Sequence, residues 1–405
     1  MILETDRLIL REYTPDDFDA LYEIIADSET MKHYPAPFDK EKTMGWIMWN
    51  LENYEKYGFG LWAVTLKKTG EFIGDCGVTI QNIDGEMLPE IGYHIHKKYW
   101  GRGFAKEAAQ ATRDWVFQNT QYDIIYSYMK YTNVASYATA MANGMKKVKE
   151  YSDSKNIISY AYAITREEWK AIKERQSYSQ IQLVAKQTIE YIKKVIKPGM
   201  NLVAIRKACE EKMLELGADS FWYWDVGAFV FASDETTISV SGKEYITSDK
   251  VIENNDIITI DLSPQIGNIW GDYARTIVME NGKVVGGYES IKNQEWKNGL
   301  QMEDRLHAEL VRFVTEETTF EELYNHMNQF IVENGFVNLD FMGNLGHSIV
   351  KNKEDRVYIE KGNQLKLSDV NYFTFEPHIA LPDSKYGFKK ENIYYFDRNK
   401  LVELK

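Results

Sequence analysis

The chain has 405 residues, a length that suits two domains, each large enough to bury its own core. Its 44% hydrophobic and 14% aromatic residues argue against disorder, and its formal net charge of −13 disfavours binding to a phosphate backbone. No apolar run reaches the length of a membrane span, and two widely separated cysteines, Cys76 and Cys209, exclude a disulfide framework and favour a cytoplasmic location.

The first half of the sequence alternates strand-like and helix-like patterns. The predicted elements are a strand at 7–11, a helix at 16–25, strands at 61–66, 72–80 and 90–95, a helix at 105–117 and a strand at 159–164. Such alternation is typical of a mixed sheet flanked by helices, in the α/β or α+β class.

The pattern of predicted elements changes near residue 175, where the second half begins. A charged, helix-prone stretch at 166–176 is predicted to connect two domains, 1–172 and 178–405. Two helices, at 179–195 and 202–216, are then predicted on either side of Pro198-Gly199. The remainder is predicted to be mostly strand, with examples at 257–261, 274–279, 372–376 and 392–396.

A glycine-rich turn, Tyr99-Trp-Gly-Arg-Gly-Phe-Ala-Lys-Glu-Ala108, precedes the predicted helix at 105–117. Glycines allow a ligand to approach the backbone, and the start of a helix offers unpaired N–H groups to an anion. The segment suits a pyrophosphate, although a purely structural turn explains Gly-x-Gly equally well when the motif is taken alone.

The motifs around this turn together resemble the GNAT acetyltransferase superfamily, in particular the branch of ribosomal-protein N-terminal acetylases. They are Glu4–Arg11, Glu90-Ile-Gly-Tyr93, Trp100-Gly-Arg-Gly-Phe-Ala105, and Asn133-x-x-Ser136 followed by Gly144. The resemblance covers about residues 1 to 170. It implies acetyl-CoA held by backbone N–H groups of Gly101, Arg102, Gly103, Phe104 and Ala105. It also implies that Ile91, Gly92 and Tyr93 run beside the pantetheine arm.

Acetyl transfer to an amine needs a deprotonated nucleophile, an oxyanion donor and a proton for the leaving thiolate. Glu90 is the candidate base, directly or through water, and the alternative is a strand-end carboxylate that faces solvent. Asn133 and Ser136 are expected to hydrogen-bond the cofactor near its sulfur. Ser136 is favoured over Tyr137 in this role because consecutive residues are turned by about 100° around a helix.

Five potential metal ligands are spread over the second half: Asp261, Asp272, His347, Glu376 and Glu391. A hairpin between the first two would return Asp272 beside Asp261 on one face of a sheet. Four carboxylates that converged without a cation would repel one another and raise each other's pKa values. A pair of divalent ions removes this conflict.

With Arg275-Thr276, Gly346 and Pro377 as neighbours, this ligand order resembles the pita-bread family of methionine aminopeptidases, Xaa-Pro aminopeptidases and prolidases. The resemblance spans about residues 178–405. It implies that Asp272 and Glu391 bridge two ions, that Asp261 chelates one, and that His347 and Glu376 hold the other. Glu376 is also the expected proton shuttle. Such ions activate water and polarise a scissile carbonyl, and the mixed O/N ligands fit Mn, Co, Fe or Zn.

Two histidines of the pita-bread family are missing from this sequence. The segment Thr237–Gly242 contains none, Glu354 stands seven residues after His347, and His378 is the remaining candidate to compensate. One hypothesis is therefore a bifunctional enzyme that acts on a small amine or peptide substrate. The other is an acetyltransferase with a catalytically silent pita-bread domain used for substrate binding or dimerisation. The assembly that this second hypothesis suggests is a homodimer. Disarming of an aminoacyl antibiotic is a third, weaker idea, and neither nucleic acid nor a membrane is an expected partner.

Overall fold

The computed structural model describes residues 2–152 and 158–405. The chain folds as two compact units, residues 1–174 and residues 175–405. Within the described ranges, no helix combines the length and the apolar character that crossing a bilayer requires.

Residues 1–174 form an eight-stranded sheet with helices. The strands are β1 (Leu3–Glu4), β2 (Leu8–Arg11), β3 (Leu61–Leu66), β4 (Phe72–Ile83), β5 (Glu86–Ile95), β6 (Ile124–Lys130), β7 (Lys146–Tyr151) and β8 (Ser159–Thr165). The helices are α1 (Phe18–Ile25), α2 (Lys40–Tyr57), α3 (Phe104–Asn119), α4 (Val134–Ala142) and the beginning of α5 (Arg166–Val195). The strand order is β1-β2-β3-β4-β5-β6-β8-β7.

The strands β5 and β6 are the one parallel pair of neighbours in this sheet, and the other adjacent pairs of the described strands are antiparallel. Their pairing is confined to Glu90 opposite Tyr126. Beyond Glu90, the edge of β5 over Ile91–Ile95 therefore has no strand ladder with β6. On this edge the Ile91 carbonyl accepts from Ser127 Oγ at 3.0 Å and the Ile95 carbonyl from Trp100 Nε1 at 2.6 Å. The backbone of Tyr93, between them, can hydrogen-bond an extended ligand.

Helix α3 packs its apolar stripe against one face of the sheet. Phe104, Ala108, Thr112 and Val116 recur at intervals of four residues and are buried, and the cluster of buried side chains that holds the apolar ones also contains Ile91 of β5. Because successive strand residues point to opposite faces, the neighbours of Ile91 along β5 point away from α3.

Residues 175–405 form four small sheets and three further helices. The helices are α6 (Leu202–Glu215), α7 (Gln294–Phe313) and α8 (Phe320–Glu333), in addition to the rest of α5. The strands are β9 (Ser220–Phe221), β10 (Ala228–Ala232), β11 (Asp256–Leu262), β12 (Pro264–Ile266), β13 (Ile269–Trp270), β14 (Tyr273–Glu280), β15 (Lys283–Val284), β16 (Val337–Asn338), β17 (Ser348–Ile349), β18 (Tyr372–Phe375), β19 (His378–Ala380), β20 (Gly387–Lys389), β21 (Asn392–Asp397) and β22 (Lys400–Glu403).

The sheets of this unit are all antiparallel, with orders β10-β11-β14-β15, β13-β12-β9, β16-β19-β20 and β17-β18-β21-β22. One buried apolar cluster joins α5 and α6 to β10, β11 and β14, and a second joins α7 and α8 to β18 and β20. Strand β14 of the first of these sheets also contacts β20 and β21, so strands of three sheets approach one another here.

The structure corrects two parts of the predicted element list. The stretch at 166–176 and the helix predicted at 179–195 are one continuous helix, α5, because no glycine or proline interrupts them. The helices α7 and α8 lie in the region predicted to be mostly strand. Both carry buried apolar residues at helical spacing, and Thr319 and Glu322 form a capping box at the start of α8.

Candidate functional sites

Glu90 lies in the interior of β5, opposite Thr79 of β4, and is 9% exposed. Burial raises the pKa of Glu90 to about 7, although His94 and a hydrogen bond from Thr79 act in the opposite direction. The alternative in which Glu90 is a strand-end carboxylate that faces solvent is therefore wrong. A carboxylate with a pKa near neutrality can take up and release a proton under physiological conditions.

The glycine-rich turn leads directly into α3. Gly101 and Gly103 have left-handed φ angles of +71° and +79°, and Gly103 is the N-cap of the 16-residue helix. The guanidinium of Arg102 lies 5.3 Å from the centre of the Phe104 ring, which is buried, whereas Ala105 is half-buried. Since glycine has no side chain that could cap the helix, the first N–H groups of α3 are suited to bind an anion.

Asn133 and Ser136 meet at the start of α4. The Oδ1 atom of Asn133 accepts a hydrogen bond from the Ser136 N–H at 3.2 Å and caps the helix. The hydroxyl of Tyr93 donates to the Ser136 carbonyl at 2.8 Å and lies 3.2 Å from Ser136 Oγ. Tyr137 instead stacks on Tyr162 at a centroid distance of 6.2 Å. Ser136 and Tyr93 thus form a hydroxyl pair that sequence reasoning did not identify.

A hydrogen-bonded chain of three residues, Asp75, His94 and Tyr34, also escaped the sequence analysis. The Nδ1 atom of His94 lies 2.8 Å from Asp75 Oδ1, and its Nε2 atom lies 2.6 Å from the hydroxyl of Tyr34. Asp75 also accepts hydrogen bonds from Tyr13 Oη at 2.8 Å and from Trp46 Nε1 at 3.1 Å. The sequence signal was a histidine on the strand of Glu90, but its partners come from distant segments of the chain.

The structure brings the five predicted metal ligands together within residues 175–405. Asp261 lies in β11, Asp272 directly precedes β14, His347 precedes β17, Glu376 follows β18, and Glu391 precedes β21. Asp261, Glu376 and Glu391 each offer one carboxylate oxygen within 4.8 Å of the others. His347 Nε2 lies 3.5 Å from Asp272 Oδ2 and 3.8 Å from Glu376 Oε1. The expected return of the chain is also present, since β11 pairs antiparallel with β14.

The electrostatics of this cluster favour a cation. Burial and the charges of neighbouring carboxylates raise the pKa values of Asp272 and Glu391 well above their usual range, and burial also raises the pKa of Glu376. Neither carboxylate oxygen of Glu391 accepts a hydrogen bond from the residues that the structure describes. A buried carboxylate without donors is costly, and a divalent cation satisfies such oxygens. The donor set therefore fits the metal ions that the sequence resemblance implies.

His347 has the tautomer and the protonation state that a neutral metal ligand requires. Its Nδ1 atom lies 3.0 Å from the carbonyl oxygen of Ser348, to which Nδ1–H donates, so Nε2 keeps its lone pair. Burial, with the nearby positive charge of Arg356, lowers the pKa of His347 to about 3. Thr374 Oγ1 accepts from the His347 N–H at 3.0 Å and donates to Glu376 Oε1 at 3.3 Å. One hydroxyl thus orients both predicted ligands.

Two further residues contact the predicted ligands and were missed in the sequence. Gln182 of α5 donates through Nε2 to the Asp272 carbonyl at 2.6 Å, and its Oε1 accepts from the Asp272 N–H at 3.2 Å. Lys389 Nζ lies 2.7 Å from Asp261 Oδ2 and 3.0 Å from Glu376 Oε2. The position of Lys389, two residues before Glu391, could have indicated its role. Gln182 has no such signal, because it lies 90 residues from Asp272 in the sequence.

Glu354 stands at the position of one missing family histidine, and His378 is the residue that was a candidate to compensate. Glu354 is exposed in a short 3₁₀ turn, Lys353–Asp355. His378 is buried, and its Nε2 lies 2.7 Å from the carbonyl oxygen of Thr236. Since a carbonyl only accepts, the proton of His378 stands on Nε2, and this nitrogen is not a free base.

Comparison with known proteins agrees with this geometry. A sequence profile of the acetyltransferase (GNAT) domain matches residues 7–146, and a profile of metallopeptidase family M24 matches residues 176–397, more than half of the chain. The chain belongs to both families. The predicted resemblance and fold class are thereby confirmed: a GNAT sheet with helices, followed by an M24 pita-bread domain.

Individual relatives match one domain at a time. YkkB of Bacillus subtilis is 34% identical over 181 residues, which cover 44% of this chain and 96% of YkkB. YnaD of the same organism, described as an uncharacterized N-acetyltransferase, is 30% identical over 181 residues, 42% of this chain and 99% of YnaD. The crystal structure of X-Pro aminopeptidase from Thermotoga maritima is 21% identical with a TM-score of 0.48, over 57% of this chain and 60% of that one. The first domain is thus homologous to N-acetyltransferases.

Proposed function

We propose that the first domain transfers an acetyl group from acetyl-CoA to an amine of a peptide or an aminoacyl compound. The supporting observation is Glu90, a buried carboxylate with a pKa raised to about 7, placed next to the part of β5 that has no strand partner in β6. Acetyl-CoA supplies the acetyl group as an activated thioester. The N–H groups at the start of α3 hold its pyrophosphate, and the edge of β5 at Ile91–Tyr93 holds its extended arm.

The protons of this reaction are handled by side chains on either side of the β5 edge. Glu90 takes the proton that the amine loses as it is acetylated. Ser136, with Tyr93 at 3.2 Å, supplies a proton to the departing thiolate. Tyr93 Oη donates to the carbonyl oxygen of Ser136 at 2.8 Å and so holds this serine in place. Ser136 regains its proton from solvent when coenzyme A leaves.

We propose that the second domain binds two divalent metal ions and hydrolyses peptides near their amino termini. The observation that carries this proposal is the buried Glu391, whose oxygens lack donors in the described residues and which offers a carboxylate oxygen within 4.8 Å of Asp261 and Glu376 oxygens. Divalent ions supply activated water and a polarised carbonyl. Asp272 and Glu391 would bind both ions, Asp261 would bind one of them, and His347 with Glu376 would bind the other.

Within this centre the chain itself orients the ligands and moves protons. Thr374 fixes both His347 and Glu376, and Gln182 fixes the backbone of Asp272. Glu376 shuttles a proton to the amine that leaves when the peptide is cleaved. Lys389 forms ion pairs with Asp261 and Glu376.

A second candidate is an acetyltransferase whose M24 domain does not hydrolyse peptides. The observation in its favour is the exposed Glu354 at the position of a family histidine, while His378 is bound to the carbonyl of Thr236. In this case the pita-bread domain binds the substrate or a second copy of the chain.

Two assays on the purified chain separate these proposals. Release of coenzyme A with a panel of peptide and aminoacyl amines tests the first domain, and no transfer to any of them rejects its proposed chemistry. Metal analysis with cleavage of Met-x and x-Pro peptides tests the second. Hydrolysis that depends on metal and is lost in Glu376→Gln eliminates the silent domain, whereas metal-loaded protein without hydrolysis supports it.

We further propose domain limits of 1–172 and 178–405 and a cytoplasmic location. The two cysteines, Cys76 and Cys209, are buried free thiols, in keeping with a reducing compartment. The substrates are small amines or peptides, and a homodimer is the assembly to test by mass measurement in solution.

A further inference from the structure

The chain of Tyr34, His94 and Asp75 has no part in the reaction proposed above. It extends from the core, where Asp75 is fully buried, to Tyr34, which is 42% exposed. The contacts within it are short, at 2.8 Å between Asp75 Oδ1 and His94 Nδ1 and 2.6 Å between His94 Nε2 and Tyr34 Oη. Such a series of hydrogen bonds can move a proton between the core and a substrate at Tyr34.

The partners of Asp75 determine how the chain is protonated. Burial opposes ionisation of Asp75, but His94 and the hydrogen bonds from Tyr13 and Trp46 outweigh it and lower its pKa. Asp75 is therefore a carboxylate that accepts from Nδ1–H of His94, and it also accepts from the His94 backbone N–H at 3.0 Å. Neutral His94 then presents the lone pair of Nε2 to the hydroxyl of Tyr34.

The same chain lies beside the proposed base. Glu90 and His94 are four residues apart on β5, so their side chains lie on the same face, opposite the face of Ile91 that packs with α3. Gly92 lies between them, and a Cβ atom there would be only 3.1 Å from Glu90 Oε2. Two groups that can accept a proton, Glu90 and His94, thus lie on one face of the strand.

Charges around His94 and Tyr34 suit this arrangement. Burial opposes protonation of His94, but Asp75 on β4 and Glu90 on β5 outweigh it and raise its pKa. Desolvation and the charges of Glu90 and Asp75 raise the pKa of Tyr34, so the phenol remains protonated. Tyr34 therefore does not act as a phenolate, and it gives its proton to His94 only as it receives one from the substrate.

We propose that Tyr34, backed by His94 and Asp75, removes the first proton from the ammonium form of the acceptor amine, which leaves Glu90 to take the second. This inference rests on the proposed acetyl transfer. The ammonium N–H bond breaks as its proton joins Tyr34 Oη, while the proton of Tyr34 moves to His94 Nε2. The imidazolium is stabilised by Asp75, and the amine lone pair is free to attack. When the product has left, the proton returns to solvent through Tyr34.

The relay defines a class of acceptor. A strongly basic primary amine arrives as an ammonium ion at neutral pH and needs both proton acceptors. A weakly basic amine is already neutral and needs only Glu90. The structure thus assigns the first domain to alkylammonium acceptors, with Tyr34 as a catalytic residue and His94 and Asp75 as positioning residues.

The test compares Tyr34→Phe and His94→Gln with wild type, using coenzyme A release from two acceptors, benzylamine and trifluoroethylamine. Benzylamine is charged at neutral pH and trifluoroethylamine is not. We expect kcat/KM for benzylamine to fall on the order of 100-fold in both variants, with little change for trifluoroethylamine. Equal losses for the two amines would overturn the relay, because a merely structural defect does not distinguish them.

Two control variants change a histidine and a tyrosine outside the relay. His96→Gln changes the next histidine of the segment, whose Nε2 lies 3.4 Å from Glu23, and Tyr57→Phe changes a half-exposed tyrosine at the end of α2. Both are expected to keep wild-type rates. A wild type that acetylates no amine would overturn the acetyl transfer itself, and the relay with it. Transfer to benzylamine at the wild-type rate in Tyr34→Phe would overturn the relay alone.

A measurement without turnover gives a second test. Nitrogen NMR of the histidine rings is expected to show the proton of neutral His94 on Nδ1, and a pKa that falls in Asp75→Asn. A His94 titration that is unchanged in both Asp75→Asn and Tyr34→Phe would contradict the hydrogen-bonded chain.

Discussion

Lys389 Nζ lies 2.7 Å from Asp261 Oδ2 and 3.0 Å from Glu376 Oε2, so a cation of the chain itself stands among the predicted metal ligands. Its charge opposes the approach of a divalent ion, since like charges a few ångströms apart in a buried site repel strongly. We expect Lys389→Met to bind Mn²⁺ about ten-fold more tightly than wild type, measured by titration calorimetry.

The matched control for this variant is Lys385→Met, which removes an exposed lysine from the segment before β20 and should leave the affinity unchanged. Weaker binding in Lys389→Met would show instead that the lysine holds Asp261 and Glu376 in position for the ion.

Glu90 gives a prediction about pH. Its pKa is raised to about 7, mainly by burial, so the proposed base is active only when pH exceeds this value. We expect kcat/KM of acetyl transfer to rise with pH through about 7 in wild type and to fall on the order of 100-fold in Glu90→Gln. An unchanged rate in the variant would exclude Glu90 as the base.

The same carboxylate has a consequence for stability. A raised carboxyl pKa means that ionisation is less favourable in the folded state, so the destabilisation is absent below about pH 4.5 and complete above about pH 7. Glu90→Gln should therefore increase the free energy of unfolding by about 2–3 kcal/mol at pH 8 and hardly at all at pH 4. Denaturant unfolding at the two pH values measures this difference, and a loss of stability at pH 8 would contradict it.

The glycine-rich turn can be tested with two glycines of similar backbone conformation. Gly101 and Gly58 have φ angles of +71° and +77°, and a Cβ atom would meet nothing within 4 Å at either position. Replacement by alanine should cost about 1 kcal/mol of stability in each case because of the left-handed backbone. Only Gly101→Ala should also raise the KM for acetyl-CoA, because Gly101 lies in the proposed cofactor-binding turn. Gly58 lies outside it, where it caps α2. Equal KM values would separate the turn from cofactor binding.

Glu303 of α7 is predicted to be a destabilising residue. It is 2% exposed, its carboxylate oxygens accept no hydrogen bond from the described residues, and burial raises its pKa well above the usual range. We expect Glu303→Met to increase the free energy of unfolding by about 1–3 kcal/mol at neutral pH. The gain should grow with pH, since the raised pKa makes ionisation unfavourable in the folded state.

Glu309 on the same helix is the control. It pairs with Arg312 and His326, and these contacts lower its pKa. Glu309→Met should therefore reduce stability. Thermal unfolding of both variants checks the pair, and a similar loss in Glu303→Met would mean that its carboxylate has a stabilising partner.

Much of the fold was predictable from local patterns. The strand over 61–66 and the helices near 105–117 and 202–216 follow apolar periodicity with glycine or asparagine at their ends, and the structure has them within a few residues. Helices α7 and α8 were predictable in the same way, from Trp296, Met302, Leu306 and Leu310, and from the Thr319 capping box. They were missed because their many charged and polar residues hide a narrow apolar stripe.

By itself, the sequence determined the two families and the glycine turn, and it supplied the five predicted metal ligands, because each lies in a recognisable short motif. Only the tertiary structure decided that Glu90 is buried, and that His94 lies between Asp75 and Tyr34. Burial and long-range hydrogen bonds depend on which distant segments pack together. A titratable side chain acquires its function from those neighbours, and its own position in the sequence does not reveal them.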